Sequence, residues 1–135
     1  MNRILLYFSA VLSAIVLTGC QKTKVDQEFL NDTNFSLVEN GRTIHEYDPL
    51  TWQVSYNSSR KEYRVFSDTM SDYYVLTCRE TPTSTGEEIH ADLKWSGTSI
   101  VSKTNLSFRV EKIDPQGRIW LWCKKSKIAV SVMSL

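Results

Sequence analysis

Between Phe35 and Met133 apolar residues recur at every second position in short runs, and no segment of useful length repeats at helical spacing. Residues two apart point to the same side of an extended chain, so this alternation marks half-buried β-strands. Ile89, Ala91, Leu93 and Trp95 alternate with His90, Asp92 and Lys94, and Leu106, Phe108 and Val110 with Ser107, Arg109 and Glu111. Counting such runs gives nine strand candidates: 35–39, 42–47, 52–56, 63–66, 73–78, 89–95, 106–110, 119–123 and 128–133. The polar stretch 96–105 around Ile100-Val101 reads as a loop. Every Gly and Pro after Cys20 (Gly41, Pro49, Pro82, Gly86, Gly97, Pro115 and Gly117) falls between runs, never inside one.

Asn40-Gly41 supplies the two positive φ angles of a type I′ hairpin, which sets Glu39 opposite Arg42 and Leu37 opposite Ile44. Asp114-Pro115-Gln116-Gly117 suits a type I turn, with Pro second and Gly fourth. Connections this short favour an all-β fold, a small antiparallel meander forming a barrel or sandwich of about eight to nine strands.

The first twenty residues follow a different logic. Arg3 precedes an apolar run from Ile4 to Leu17, broken only by Ser9 and Ser13. That run is too short to span a bilayer as a helix and suits the core of a signal peptide. Leu17-Thr18-Gly19-Cys20 follows it, and this resembles the lipobox of bacterial lipoproteins. The resemblance covers the leader alone. It implies cleavage before Cys20, acylation of the Cys20 thiol and amine, and a chain tethered to the membrane through its lipid. In that family an Asp after the cysteine tends to hold the protein at the inner membrane, so Gln21 implies an outer-membrane location, facing the periplasm or the cell surface. The expected organisation is a signal peptide at 1–19, a lipidated tether at 20–33 and an all-β domain at 34–135. Within the tether, Val25, Phe29 and Leu30 are spaced to form one short helical turn against the domain. The domain in turn resembles the small all-β lipoproteins of Gram-negative bacteria.

Charge and composition exclude several functions. The chain has 16 basic and 15 acidic side chains, and Arg3 is the only charged residue before Cys20. The remainder is neutral, which argues against nucleic acid as a partner and against electrostatic docking on a membrane surface. At 41% hydrophobic and 23% charged, the chain has an ordinary globular composition.

Few residues read as chemistry. His90 and Asp92 share one strand face, which would let a carboxylate orient a base, but a solvated face with mixed charges is the simpler reading of the pair. His45, beside Glu46, reads as a surface hydrogen-bonding residue. No nucleophile motif accompanies either histidine, and no metal-ligand spacing or phosphate loop is present. The expectation is a protein without catalysis, metal or cofactor. Cys78 and Cys123 lie on apolar strands, either as a disulfide or as two buried thiols. Asp68-Thr69-Met70 resembles the O-glycosylation sequon of some Gram-negative bacteria, which implies modification at Thr69.

The aromatic residues are more telling. Strands 73–78 and 119–123 are apolar on both faces, which a half-exposed antiparallel strand should not be. Trp120 and Trp122 point to one side of theirs. Either the Asn40-Gly41 hairpin or the segment around Phe29 covers that side, or Trp120, Trp122 and Tyr74 form an open aromatic face for a glycan or protein partner. The expected function is therefore a membrane-anchored, non-enzymatic binding or interaction module. A carbohydrate or small-ligand binder, with an aromatic face or a lipocalin-like cavity, is one alternative. Another is a protease inhibitor: Ser96-Gly97-Thr98-Ser99 resembles the inserted loop of small β-barrel inhibitors of papain-like cysteine proteases.

Overall fold

The structure, a computed structural model, describes residues 25–50 and 52–134. The leader and Cys20 lie outside these residues. One short helix, α1 (Gln27–Asn31), precedes nine strands: β1 (Phe35–Glu39), β2 (Arg42–Tyr47), β3 (Gln53–Asn57), β4 (Glu62–Phe66), β5 (Tyr73–Cys78), β6 (Glu88–Trp95), β7 (Val101–Ile113), β8 (Arg118–Cys123) and β9 (Ile128–Met133). They form one antiparallel sheet in the order β2-β1-β9-β8-β7-β6-β5-β4-β3, curled into a half-barrel. The meander expected from the sequence runs from β3 to β9. The β1–β2 hairpin joins it by pairing Leu37 with Val130 and Glu39 with Ile128.

The alternating apolar residues fill the concave side. Phe35, Leu37, Tyr74, Leu76, Ile89, Leu93, Phe108, Val110, Leu121 and Val130 are all fully buried there. These side chains occupy the space that a lipocalin-like cup would need. Polar links cross the same side: the Tyr74 hydroxyl donates to the Ser131 carbonyl at 2.7 Å, and Lys103 of β7 meets Glu39 of β1 at 3.6 Å. The edge strands β2 and β3 are not hydrogen-bonded to each other. Tyr47 and Trp52 stack at 3.8 Å between ring centroids beside that seam.

Asn40 and Gly41 take φ angles of 53° and 77°, as the type I′ turn requires, and Glu39 pairs with Arg42. Leu37, however, faces His45 and not Ile44, because a β-bulge shifts the register between Leu37 and Val38. The extra residue turns His45 inward. Its Nε2 meets the Ser96 carbonyl at 2.6 Å, and its Nδ1 meets the Tyr47 hydroxyl at 2.6 Å. A carbonyl only accepts, so Nε2 carries the proton in the neutral ring and Nδ1 accepts from Tyr47. His45 is a half-buried strut whose ring is engaged on both nitrogens, not the solvent-facing residue expected.

β7 also differs from expectation, since residues 101–105 belong to it and not to a loop. A bulge accommodates them, with Ala91 opposite Leu106 but Leu93 opposite Lys103. Asn105 takes a φ of 54° within it, and its N–H donates to the Asp92 carboxylate at 2.8 Å instead of to the ladder. Asn tolerates this left-handed conformation better than most side chains.

The β7–β8 turn is held by Asp114, whose carboxylate accepts from the Gln116 and Arg118 amides at 3.0 and 2.9 Å. Gly117 closes it at φ 94°, where a Cβ would lie 2.7 Å from the Ser134 carbonyl oxygen. Gly117→Ala therefore meets a strained backbone and a clash together, and should cost about 1–3 kcal/mol. Gly86→Ala is the control, with φ 90° and open space around it. Thermal melting should show the larger loss at Gly117; equal losses would remove the role assigned to the Ser134 contact.

Candidate functional site

β8 is the strand with two apolar faces. Ile119, Leu121 and Cys123 point into the barrel, and Trp120 and Trp122 point outward. The outward residues form a row across the sheet, Val38–Ala129–Trp122–Arg109–Glu88, with Trp120 one row along between Lys112 and Ser131. An aromatic surface of this kind needs a cover, and the segment around Phe29 supplies it. Phe29 is buried against Trp120 and Ala129, flanked by Val25, Leu30, Val38 and Trp122.

The covering helix has only five residues, too few to hold by helix formation alone. Its ends are tied instead. Asp26 caps the first turn by accepting from the Glu28 amide at 3.0 Å. At the other end Lys112 donates to the Leu30 carbonyl at 2.9 Å while lying 4.6 Å from the Trp120 ring centroid. Arg118 donates to the Thr33 and Asp32 carbonyls and stacks over Phe35 at 4.5 Å. Lys112 at the Leu30 carbonyl is favourable on both hydrogen-bonding and dipole grounds, and Arg118 fixes the link between the helix and β1.

The cover is incomplete. Trp120 is 3% exposed, whereas Trp122 is half-buried at the margin of α1. Beside it opens a groove of about 630 Å³, walled by Val25, Gln27 and Leu30 on one side and by Glu88, Arg109 and Lys124 on the other. Arg109 makes a long contact to Glu111, at 3.9 Å, and its side chain is 65% exposed. The indole N–H groups of Trp120 and Trp122 are buried and find no acceptor among the described residues. Each unmet donor costs about 1–3 kcal/mol. The groove thus combines an aromatic wall, an apolar helix edge and charges of both signs, within the size range of small-ligand sites.

Several expected groupings separate. Tyr74 does not join the tryptophans: it points into the barrel, fully buried, and burial pushes its hydroxyl well above the usual tyrosine range. Tyr73 is the outward aromatic of that strand. Cys78 and Cys123 are free, buried thiols and not a disulfide. β6 and β7 stand between their strands, which puts them about 14 Å apart along the sheet, beyond the reach of a bridge. Burial, the largest cause, together with the nearby Glu80 carboxylate pushes the Cys78 thiol up to about 12.

His90 and Asp92 form no dyad. His90 Nδ1 meets Glu80 at 3.0 Å, while Asp92 serves the Asn105 bulge. The His90 backbone and side-chain hydrogen bonds hold the Glu80 carboxyl below its ordinary value. Among the described residues no group of three His, Cys, Asp or Glu side chains is placed to hold a metal. Thr69 is exposed in the β4–β5 turn, 2.8 Å from the Ser71 hydroxyl. Ser96, at the head of the loop likened to an inhibitor's, is consumed internally, accepting from the Tyr73 amide through its hydroxyl and from His45 through its carbonyl.

Trp120→Ala should cost about 3–5 kcal/mol in urea unfolding, as for a large core truncation, and Trp122→Ala distinctly less; equal costs would refute the marginal position of Trp122. Cys78 should resist iodoacetamide at pH 8 in the native protein and react on unfolding. Its folded value lies above its unfolded one. The stability linked to it is thus complete below pH 9 and declines as pH rises toward 12. Rapid native labelling at Cys78 would contradict its burial. No protein-family model, curated protein or solved structure matches the chain.

Proposed function

We propose that this chain is a bacterial lipoprotein, anchored at the outer membrane through acylated Cys20, whose β domain is a non-enzymatic binding module. The observation that carries the anchor is the leader: a basic residue, an apolar run too short to span a bilayer, and Leu17-Thr18-Gly19-Cys20 directly after it. Each buried lipid CH₂ contributes about 0.8 kcal/mol, and two acyl chains suffice for stable attachment. No described helix is long and apolar enough to cross a membrane.

The groove beside Trp122 is the binding site of this reading. A ligand with an apolar face and hydrogen-bonding groups at its rim fits the indole on one wall and Glu88, Arg109 and Lys124 on the other. Because α1 forms the opposite wall, the site exists only while the chain leading to the anchor is docked on the barrel. The anchor has a direct test. Metabolic labelling with a fatty-acid analogue should mark the wild-type protein, and Cys20→Ala should release it unlabelled into the soluble fraction. An unlabelled Cys20→Ala protein that still sediments with membranes would defeat the lipoprotein reading.

A further inference from the structure

A second, larger trough lies on the opposite stretch of the outer face, across β3 to β7 and away from α1. Residues whose neighbours Tyr63, Val65, Tyr74 and Leu76 point into the core themselves point outward here. The strand register arranges them in rows. One row runs Ser55–Arg64–Val75–Lys94–Ser102, so a cation stands on each side of an apolar floor. The next runs Asn57–Glu62–Thr77–Asp92, with a carboxylate on each side of a hydroxyl. On the other flank Phe66 pairs with Tyr73, and Met70 projects from the β4–β5 turn, 44% exposed. Two basins of about 360 and 640 Å³ share Glu62, Arg64 and Met70 and together make the trough.

Three features restrict the occupant. The backbone groups of β4, β5 and β6 are paired on both sides in the ladder, so an extended peptide finds no main-chain partners and recognition falls to side chains. The charged lining is Arg60, Arg64 and Lys94 against Glu62 and Asp92, one positive charge in excess. Both carboxylates are engaged, Glu62 with Arg64 at 3.0 Å and Asp92 with the Asn105 amide at 2.8 Å. The Lys94 and Arg60 side chains have no ion-pair partner among the described residues, and Arg64, 34% exposed, meets Glu62 through one nitrogen of a guanidinium that carries five N–H donors. The Cα positions of Arg64 and Lys94 are two strands, about 10 Å, apart. That is the separation of carboxylates on alternate rings of an extended acidic glycan.

We propose that this trough binds an acidic oligosaccharide bearing carboxylates on alternate sugar rings. Arg64 and Lys94 take successive carboxylates. Ser55, Ser102 and the free oxygens of Glu62 and Asp92 take ring hydroxyls, and Tyr73 and Met70 cover an apolar ring face. The site is separate from the Trp122 groove and does not depend on the anchor.

Titration calorimetry on the full chain in detergent tests it, with a tetrasaccharide of alternating glucuronate and N-acetylglucosamine as probe. The neutral N-acetylglucosamine tetramer and a tetraglutamate peptide are the comparisons. The acidic tetrasaccharide should bind at least tenfold more tightly than either. Lys94→Gln, at an exposed position, should weaken it at least tenfold with unchanged melting, while Lys94→Arg should keep it and Trp122→Ala should leave it unaltered. Absence of saturable binding, equal binding of the neutral tetramer, or equal binding of tetraglutamate would overturn the proposal. So would wild-type affinity in Lys94→Gln, or loss of binding in Trp122→Ala alone.

Discussion

The pairing of β1 with β9 is the contact on which the rest of the molecule depends. It joins segments some ninety residues apart, with Leu37 opposite Val130 and the Ser36 amide donating to the buried Ser131 hydroxyl at 2.9 Å. Closing so long a loop carries an entropic cost that short hairpins avoid. The return is a continuous core, because Phe35 and Leu37 enter the barrel only when β1 lies against β9. The same pairing decides where α1 can go. Only Asp32, Thr33 and Asn34 separate the helix from β1, so a β1 beside β9 delivers α1 onto the outer face of β8 and β9. Trp120 lies under it for that reason.

Much of this was legible in the residues. Nine alternating runs became nine strands, and the two-faced character of 119–123 announced that something covers its outer side. What was not legible depends on which strands become neighbours. Tyr74 and Trp120 sit at similar places in their runs, and only the sheet order shows that one faces the core and the other faces α1. Cys78 and Cys123 are separated by the same information, since two intervening strands cannot be counted from a pattern. The bulges at Leu37–Val38 and at Asn105 were hidden too. Each is a single extra residue, and its signal resides in the partner strand and in one side-chain acceptor, such as Asp92, elsewhere in the chain. The polar stretch 101–105 read as loop because alternation with Ser, Lys and Thr offers no apolar beat.

The polar residues follow from the same geometry. Those that looked reactive are structural: His45 braces β2 against the end of β6, Asp92 completes a bulge, and Ser96 ties the end of β6 to β2 and to the start of β5. Binding capacity resides instead in ordinary outer-face residues that the register lines up, Arg64 with Lys94 and Trp122 with Arg109. Neither set shows as a motif, because Arg64 and Lys94 lie thirty residues apart in sequence and Trp122 and Arg109 thirteen.

The number of strands has a consequence of its own. Eight successive antiparallel steps across nine strands leave β2 and β3 running in the same direction. Two edges so oriented cannot complete the cylinder by antiparallel pairing, and parallel pairing would need a crossover far longer than the few residues between Tyr47 and Gln53. The sheet is therefore open by parity, whatever its side chains. Tyr47 stacked on Trp52 and the His45 strut do by packing what a ninth ladder would do by hydrogen bonds. That makes the β2–β3 line the natural seam along which the barrel loosens first, with backbone amide exchange fastest at its two margins.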